Sequence, residues 1–495
     1  MNILDNVIGF FNPKKACERA AWRENLDEIR NYDAGGYGRF NSRWRVFNES
    51  AEVTDRNDRD VIRARARDLE RNSDLANSVL IAFKRNVVGN GFKLQAKTTN
   101  PELNAKLEEL WQEWQKKKNC DVTGTQSFNQ MLRMAVVRKK VDGGILFKKC
   151  YTKDGIVPLK LQALEVDELA LYWNAPKNKK NRVVGGIEYN EYNKPMGYWI
   201  QQYSIDGFEI PEAKYYPAKD IIYYFSKKRP SQIREMSDLT PTIPRIRDTN
   251  EFINAVSIKE RIAACLSVFI KKVIPTASGF GRQSGPVNSS KIEYNGKTLS
   301  PGMITEMNAG DEIQVVDPKG AAADSADFLK TQQRLIGAGQ GLSYECTSRD
   351  MSQTNYSSAR QGAIEDEYTF SEESELLREN LMDEVYESFV ISCFLAGLID
   401  IPDFWDKKTD YLKHDWVSSP KKWIDPKKEA DANKIALESK IKSFKQICAE
   451  NGQDWKSQID DMAEVANYAA EKGIEIGGAT QNESKPTENE EPGTE

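Results

Sequence analysis

Two stretches decide the architecture together: Arg245 to Ile270, RIRDTNEFINAVSIKERIAACLSVFI, and Asp324 to Gly337, DSADFLKTQQRLIG. The first holds neither Pro nor Gly and reads as one continuous helix, about 26 residues and so about 39 Å long. Ile246, Ile253 and Val256 share one stripe, while Phe252, Ile262 and Leu266 spread to others. A helix apolar on several sides has several neighbours, which suits close lateral contact between copies. The second stretch puts Phe328, Leu329, Leu335 and Ile336 on one face and sets Lys330 and Arg334 four residues apart on another. Between the two, residues 271–322 are rich in Gly, Pro and Ser. They offer strands at Met303–Met307 and Glu312–Val316, joined hairpin-fashion by Asn308-Ala309-Gly310-Asp311. Two helices therefore bracket a small insertion.

Outward from this core, IIYYF at 221–225 is a buried strand, and KKRPSQIREMSDLTP after it is a loop. Further back, Gly144–Tyr151, Leu159–Leu169, Arg182–Tyr189 and Gly197–Tyr203 alternate or run apolar, the last two flanking a turn at Asn190–Pro195. They predict an α+β region with a mostly antiparallel sheet. Ile62, Leu69, Leu75, Val79, Leu80 and Phe83 predict a helix or a broken pair of helices from about 55 to 88. Pro101–Lys118 predicts another, with Lys116–Lys118 at its end, where cations suit the helix dipole. Beyond the second decisive helix, Leu342–Asn355 is polar and aperiodic, and a long helix is expected from Tyr356 to about Gly397. Helices follow to Lys472, then an acidic tail from 480 with the composition of disorder. Residues 1–60, with Asp33-Ala34-Gly35-Gly36-Tyr37-Gly38, read as an arm.

Composition narrows the function. The chain has 495 residues, 39% of them apolar and 29% charged, with a net charge of −5. Thr480–Glu495 alone carries five Glu and one Lys, so the remainder sits near −1 and no global field draws it to nucleic acid or anionic membrane. The seven cysteines are dispersed without a CxxC pair, which argues for reduced thiols in a cytoplasmic setting and against a zinc site. No run approaches a membrane span. The single histidine, His414, excludes mechanisms that need two imidazoles and reads as a packing or surface residue. There is no GxxxxGK[ST] and no GxSxG, and Gly279–Gly285 has the wrong spacing for a phosphate cradle. No catalytic pair, metal site or cofactor site emerges, which leans away from an enzyme.

Six segments in order carry a resemblance: RARARDLERN at 63–72 with VVGNGF at 87–92, RPSQIREMS at 229–237, the long helix that follows, GLSYE at 341–345, NYSSAR at 355–360 and WIDPKKEADA at 423–432. The sequence resembles the portal proteins of lambda-type tailed bacteriophages from about Asp55 to Trp455. Two departures stand out: Glu235 where that family commonly has Gly, and Tyr223 or Tyr224 where it has His.

The resemblance implies a portal fold: a sheet-bearing wing, long stem helices, a small α/β clip and a helical crown, assembled as a dodecameric ring at one capsid vertex of the virion. The ring would be built in the bacterial cytoplasm and conduct double-stranded DNA during packaging and ejection. By position, 61–240 is the first part of the wing, 241–270 and 323–340 the stem helices, and 271–322 the clip. The tunnel loop is 341–355, the long helix with the second part of the wing 356–412, and the crown 413–479. Expected transient DNA contacts are Arg349, Asp350, Met351, Ser352, Gln353, Thr354 and Asn355, with Lys330 and Arg334 as lumen charges. Lys271, Lys272 and Arg282 of the clip would meet the terminase large subunit and later the head-tail adaptor. Major capsid and scaffolding proteins are the remaining implied partners. Arg138–Lys140, Lys177–Arg182 and Lys227–Arg229 are expected to be surface runs. The rival readings are a head or tail component without a channel, and a packaging ATPase and nuclease, which would need the missing phosphate loop.

Overall fold

The computed structural model describes residues 10, 13–15, 18–19, 48–203, 209–265, 268–270, 304–306, 321–352, 354–418 and 426–474. The chain divides into two units, Met1–Asn57 and Asp58–Glu495. In the first, a short helix α1 (Ala51–Asp55) is described.

The second unit is α+β. Its helices α2 (Arg59–Asn72) and α3 (Asp74–Phe83) are the broken pair, and the break is at Ser73, whose hydroxyl caps α3 by accepting from the Ala76 N–H. A π-turn, Lys84–Val88, extends α3. Strand β1 (Lys93–Ala96) leads to α4 (Pro101–Trp114), with Asn100 as its cap and Pro101 in its first turn. The lysines beyond α4 enter a separate turn, α5 (Lys117–Cys120). Helix α6 (Phe128–Asp142) opens with a Ser127–Gln130 capping box and stops at Gly143, whose φ is 92°. A Cβ there would stand 2.5 Å from the Met236 carbonyl carbon, so the close approach of the two chains requires glycine.

Strands β2 (Gly144–Tyr151), β3 (Leu159–Leu164) and β8 (Ile221–Phe225) form one antiparallel sheet in the order β3-β2-β8. A second antiparallel sheet runs β4 (Arg182–Val184), β5 (Ile187–Tyr189), β6 (Pro195–Tyr203), β7 (Glu209–Pro217). The single strand expected at 182–189 is thus two, folded back at Gly185 and Gly186, both with positive φ. The main core gathers Trp111, Trp114, Phe128, Tyr386 and Phe389 with the inner faces of α3 and α6, and a smaller cluster around Ile187, Tyr198 and Ile200 lies at the second sheet.

Helix α7 (Ile243–Cys265) is shorter than expected at its C-terminal end. The apolar residues after it turn extended, as strand β9 (Val268–Ile270), pairing in parallel with β10 (Ile304–Glu306). Val268 and Ile270 are β-branched, and periodicity cannot separate such a run from a helix end. The 304–306 strand therefore pairs with β9; its expected partner Glu312–Val316 lies outside the described residues, as do Lys271, Lys272, Arg282 and the acidic tail.

Helix α8 (Ala321–Gly339) returns antiparallel to α7: Arg245 Nη1 donates to Gln332 Oε1 at 3.0 Å, and one to two turns along, the Phe252 and Phe328 rings sit 4.7 Å apart. A short helix α9 (Tyr344–Ser348) follows, inside the stretch expected to be loop throughout. The long helix is α10 (Tyr356–Leu377) and α11 (Asp383–Leu395), continuous through a π-turn at Arg378–Met382. After α12 (Lys408–Tyr411), residues 414–417 are not part of a helical end region. They form strand β11 (His414–Val417), antiparallel to β1. His414 is a packing residue there, its ring 4.2 Å from that of Tyr386 and its Nε2 3.1 Å from Asp383. Helices α13 (Pro426–Glu438), α14 (Phe444–Glu450) and α15 (Trp455–Lys472) complete the described chain. Among the described residues no helix is long and apolar enough to cross a membrane.

Candidate loop site at the helix junction

The loop between α8 and α10 is rooted where four segments meet. Gly341 leaves α8 with φ 70°, and its carbonyl accepts from Thr369 Oγ1 of α10 at 2.7 Å. Leu342 is buried. Ser343 caps α9 by accepting from the Cys346 N–H, and gives its own N–H and Oγ–H to the buried Asp366 of α10 at 2.6 and 2.7 Å. Ser78 of α3 donates to the Thr347 carbonyl. Helix α9 ends at Arg349 in the left-handed region (φ 59°), its N–H reaching Glu345 O at 2.9 Å.

From Asp350 the chain turns outward. The Asp350 carboxylate accepts from the Ser352 N–H (3.0 Å) and the Tyr344 hydroxyl (3.2 Å), and Ser352, with lesser help from Tyr344 and Lys330, holds this carboxyl below its ordinary value. Arg334 lies 5.4 Å over the Tyr344 ring. The two α8 charges and the loop, selected separately in the sequence, are therefore brought together through Tyr344 and Asp350. Met351 and Ser352 are exposed, Gln353 lies outside the described residues, and Thr354 is half-buried. Asn355 is the cap of α10, in a reciprocal capping box with Ser358, which is a structural task. The loop thus has a bonded root, 341–350, and a short tip in which Met351 and Ser352 are exposed.

The sequence reading missed what holds the root. Lys139 and Lys140, expected at the surface, are buried in α6. Lys139 Nζ lies 2.8 Å from both Asp238 and Glu373, Lys140 Nζ 2.8 Å from Glu373, and Lys228 Nζ 2.8 Å from Asp238. Burial would raise the Asp238 carboxyl, but the three lysines outweigh it and hold it well below the ordinary range. Gln340, at the end of α8, donates to Asp238 O and Thr242 Oγ1. One cluster therefore ties α6, the entry to α7, the exit of α8 and α10. Arg138 likewise faces Glu70 and Asp142 instead of solvent. Of the signals, only the Ser343 cap could have been read locally; Asp238 and Glu373 are far in sequence from Lys139 and Lys140.

The site holds no constellation for bond-making chemistry, and among the described residues no group of His, Cys, Asp and Glu could hold a metal ion. What it offers at the surface is the exposed Met351 and Ser352 beside the exposed Arg349, on a root held by the bonds above.

The model of the phage portal proteins, lambda family, matches residues 37–373. The chain belongs to that family. A probable portal protein of Halomonas phage phiHAP-1 is 25% identical over 88% of this chain and 87% of its own length. Portal protein B of Escherichia phage lambda is 20% identical over 87% of this chain and 88% of its own. Among solved structures, a chain from the virion of a native gene transfer agent particle aligns over 80% of this chain and 93% of its own. It does so at 12% identity and a TM-score of 0.39, a distant likeness on which no argument rests.

The portal family is a structural one, and in this chain Glu235 and Tyr223 belong to one network. Tyr223 hydroxyl donates to Glu235, and the Glu235 N–H donates to that hydroxyl at 3.2 Å. Glu235 is fully buried, paired with Arg63 at 2.6 Å and Arg234 at 2.8 Å. Burial alone would raise its carboxyl; Arg234 and Arg63 hold it at about 2. Glu235, Tyr223, Arg63 and Arg234 thus form an ion network between α2, β8 and the loop ahead of α7.

Proposed function

We propose that copies of this chain close into a dodecameric ring at one vertex of a phage capsid and form the conduit for double-stranded DNA. The observation that carries this is the match to the portal family over residues 37–373, joined to a paired-helix stem with a rooted, exposed loop at its end. In this reading, 61–240 with 356–412 is the wing and α7 with α8 the stem. Residues 271–322 are the clip that meets the terminase large subunit and then the head-tail adaptor through Lys271, Lys272 and Arg282. Residues 341–355 are the tunnel loop and 413–479 the crown, in reach of the scaffolding and major capsid proteins.

The mechanism is steric and electrostatic. A duplex driven by a separate motor must not be gripped, since each neutralised phosphate adds salt-dependent affinity, multiplied by the ring symmetry. At the loop, Arg349 is offset by Asp350, and Arg334 is engaged with Tyr344, which suits contact without capture. The tip residues Met351, Ser352, Gln353 and Thr354 touch passing DNA, while Asn355 serves the loop from below as a helix cap.

The test is complementation of a portal-null phage or prophage carrying this gene with the chain deleted of Met351–Thr354. Heads should assemble with normal portal content but hold less DNA. Failure of the deleted chain to form rings, or full heads at wild-type yield, would contradict the role given to the loop. Nucleotide hydrolysis by the pure protein would contradict the reading as a whole.

A further inference from the structure

The C-terminal helices stand almost bare in the single chain. No residue of α13 is buried, and in α15 every residue from Ile459 to Tyr468 is exposed. Yet neither is polar all round. Segment 459–471 carries Ile459, Met462, Val465 and Tyr468 at 45–62% exposure, spaced three apart along one ridge. Segment 434–445 runs from the last turn of α13 through the turn after it into α14; Ile435, Leu437, Ile441 and Phe444 are exposed there at 39–76%, and Ile441 folds back on α13 with its N–H on Ala436 O at 2.9 Å. An isolated helix of this length is marginal in water and draws its stability from packing an apolar face, so the ridge of α15 is built to be covered.

Their charges are opposite. Segment 459–471 has Asp460, Asp461, Glu464 and Glu471 and no basic residue; Lys472 follows, over the Tyr468 ring at 5.4 Å. Segment 434–445 has Lys434, Lys440, Lys442 and Lys445 against Glu438 alone, with Lys442 reaching Glu450 at 2.7 Å and Lys434 within 4.0 Å of Glu438. One surface is apolar and acidic, the other apolar and basic, and one chain exposes both. Two different, mutually complementary faces on a single chain are what a head-to-tail contact needs.

We propose that the acidic apolar ridge of α15 docks on the basic apolar surface of 434–445 of a second copy of this chain, making a repeating seam. The inference rests on the ring reading and gives it a specific contact. Each subunit offers α15 to one neighbour and 434–445 to the other, and the contact weakens with salt because charge steers and registers it.

The test uses two full-length variants, M462E/V465E on α15 and I435E/I441E on the other face. All four positions are exposed, so the substitutions leave the fold of the chain intact, which far-ultraviolet circular dichroism verifies. By mass photometry and sedimentation velocity, each variant alone should self-associate at least about 10-fold more weakly than wild type. An equal mixture should form one-to-one pairs, because the basic face of the first variant and the acidic ridge of the second are intact. Variants that assemble as wild type does, or a mixture that stays at the monomer level of its parts, would overturn the seam. Pore-bearing rings from both variants would overturn the seam alone and leave the portal reading in place. Seam-dependent pairing with no pore-bearing ring would support the seam and count against the portal reading.

Discussion

Two regions of this molecule handle charge and apolar surface in opposite ways. In the body, Lys139, Lys140, Arg63, Arg234, Asp238 and Glu235 are buried or nearly so and each has an oppositely charged partner within 3 Å. In the C-terminal region, Met462 and Tyr468 of α15 and Ile441 of the turn after α13 face solvent with most of their surface. In the body these charges find their partners inside one chain, and removing one partner strands another charge in a medium that cannot solvate it. The C-terminal segments instead leave apolar side chains in solvent, which is the surface the proposed seam would cover. The contrast teaches that the segments tied by buried ion pairs are those at the root of the loop, while the segments left exposed are those assigned here to contact between copies.

The largest effect expected is at Glu235. Glu235→Ala leaves Arg63 and Arg234 buried without a counter-charge and should cost about 3–5 kcal/mol in denaturant unfolding of the body. A loss under about 1 kcal/mol would remove the distinction between the two regions. The same carboxyl fixes a pH dependence. Its folded value is depressed to about 2 from an ordinary 4.5, so its contribution is full above 4.5 and is lost as pH falls through that window. Acid titration of the body's unfolding should show this loss in the wild type and a flatter slope in Glu235→Ala.

Next is the junction. Lys139→Met removes one ammonium from a cluster in which Lys140 and Lys228 still face Asp238, so a loss of about 1–3 kcal/mol is expected in the same unfolding measurement. Smaller again is Ser343→Ala, which removes the α9 cap and one bond to Asp366. About 1 kcal/mol is expected, read as faster limited proteolysis within 341–355 while the global unfolding midpoint barely moves. Smallest is deletion of Met351–Thr354, within about 0.5 kcal/mol of wild type, because the root is held by Ser343, Asp366 and Thr369 and loses only the Ser352 bond to Asp350 with the tip.

The helix–insertion–helix frame was legible because α7 and α8 keep their apolar spacing and are bounded by Gly, Pro and Ser. The end of α7 was not, since Val268, Phe269 and Ile270 satisfy a strand as well as a helix. Strands β1 and β11 are four residues each, too short for an alternating pattern to register, and they exist only because chain segments more than 300 positions apart meet at Lys93 and Val417. The loop's position was legible through GLSYE and NYSSAR; its root was not. Arg138-Lys139-Lys140 is the kind of run that normally lies in water, and nothing nearby in sequence announces Asp238 or Glu373 as partners.

The most direct test is negative-stain electron microscopy of the purified full-length chain, with class averages viewed down any symmetry axis. Closed rings of dodecameric symmetry with a central opening wide enough for duplex DNA are the result expected, from the pure chain or after co-expression with the neighbouring capsid genes. Closed shells, rings without an opening, or monomers under both conditions would contradict the account.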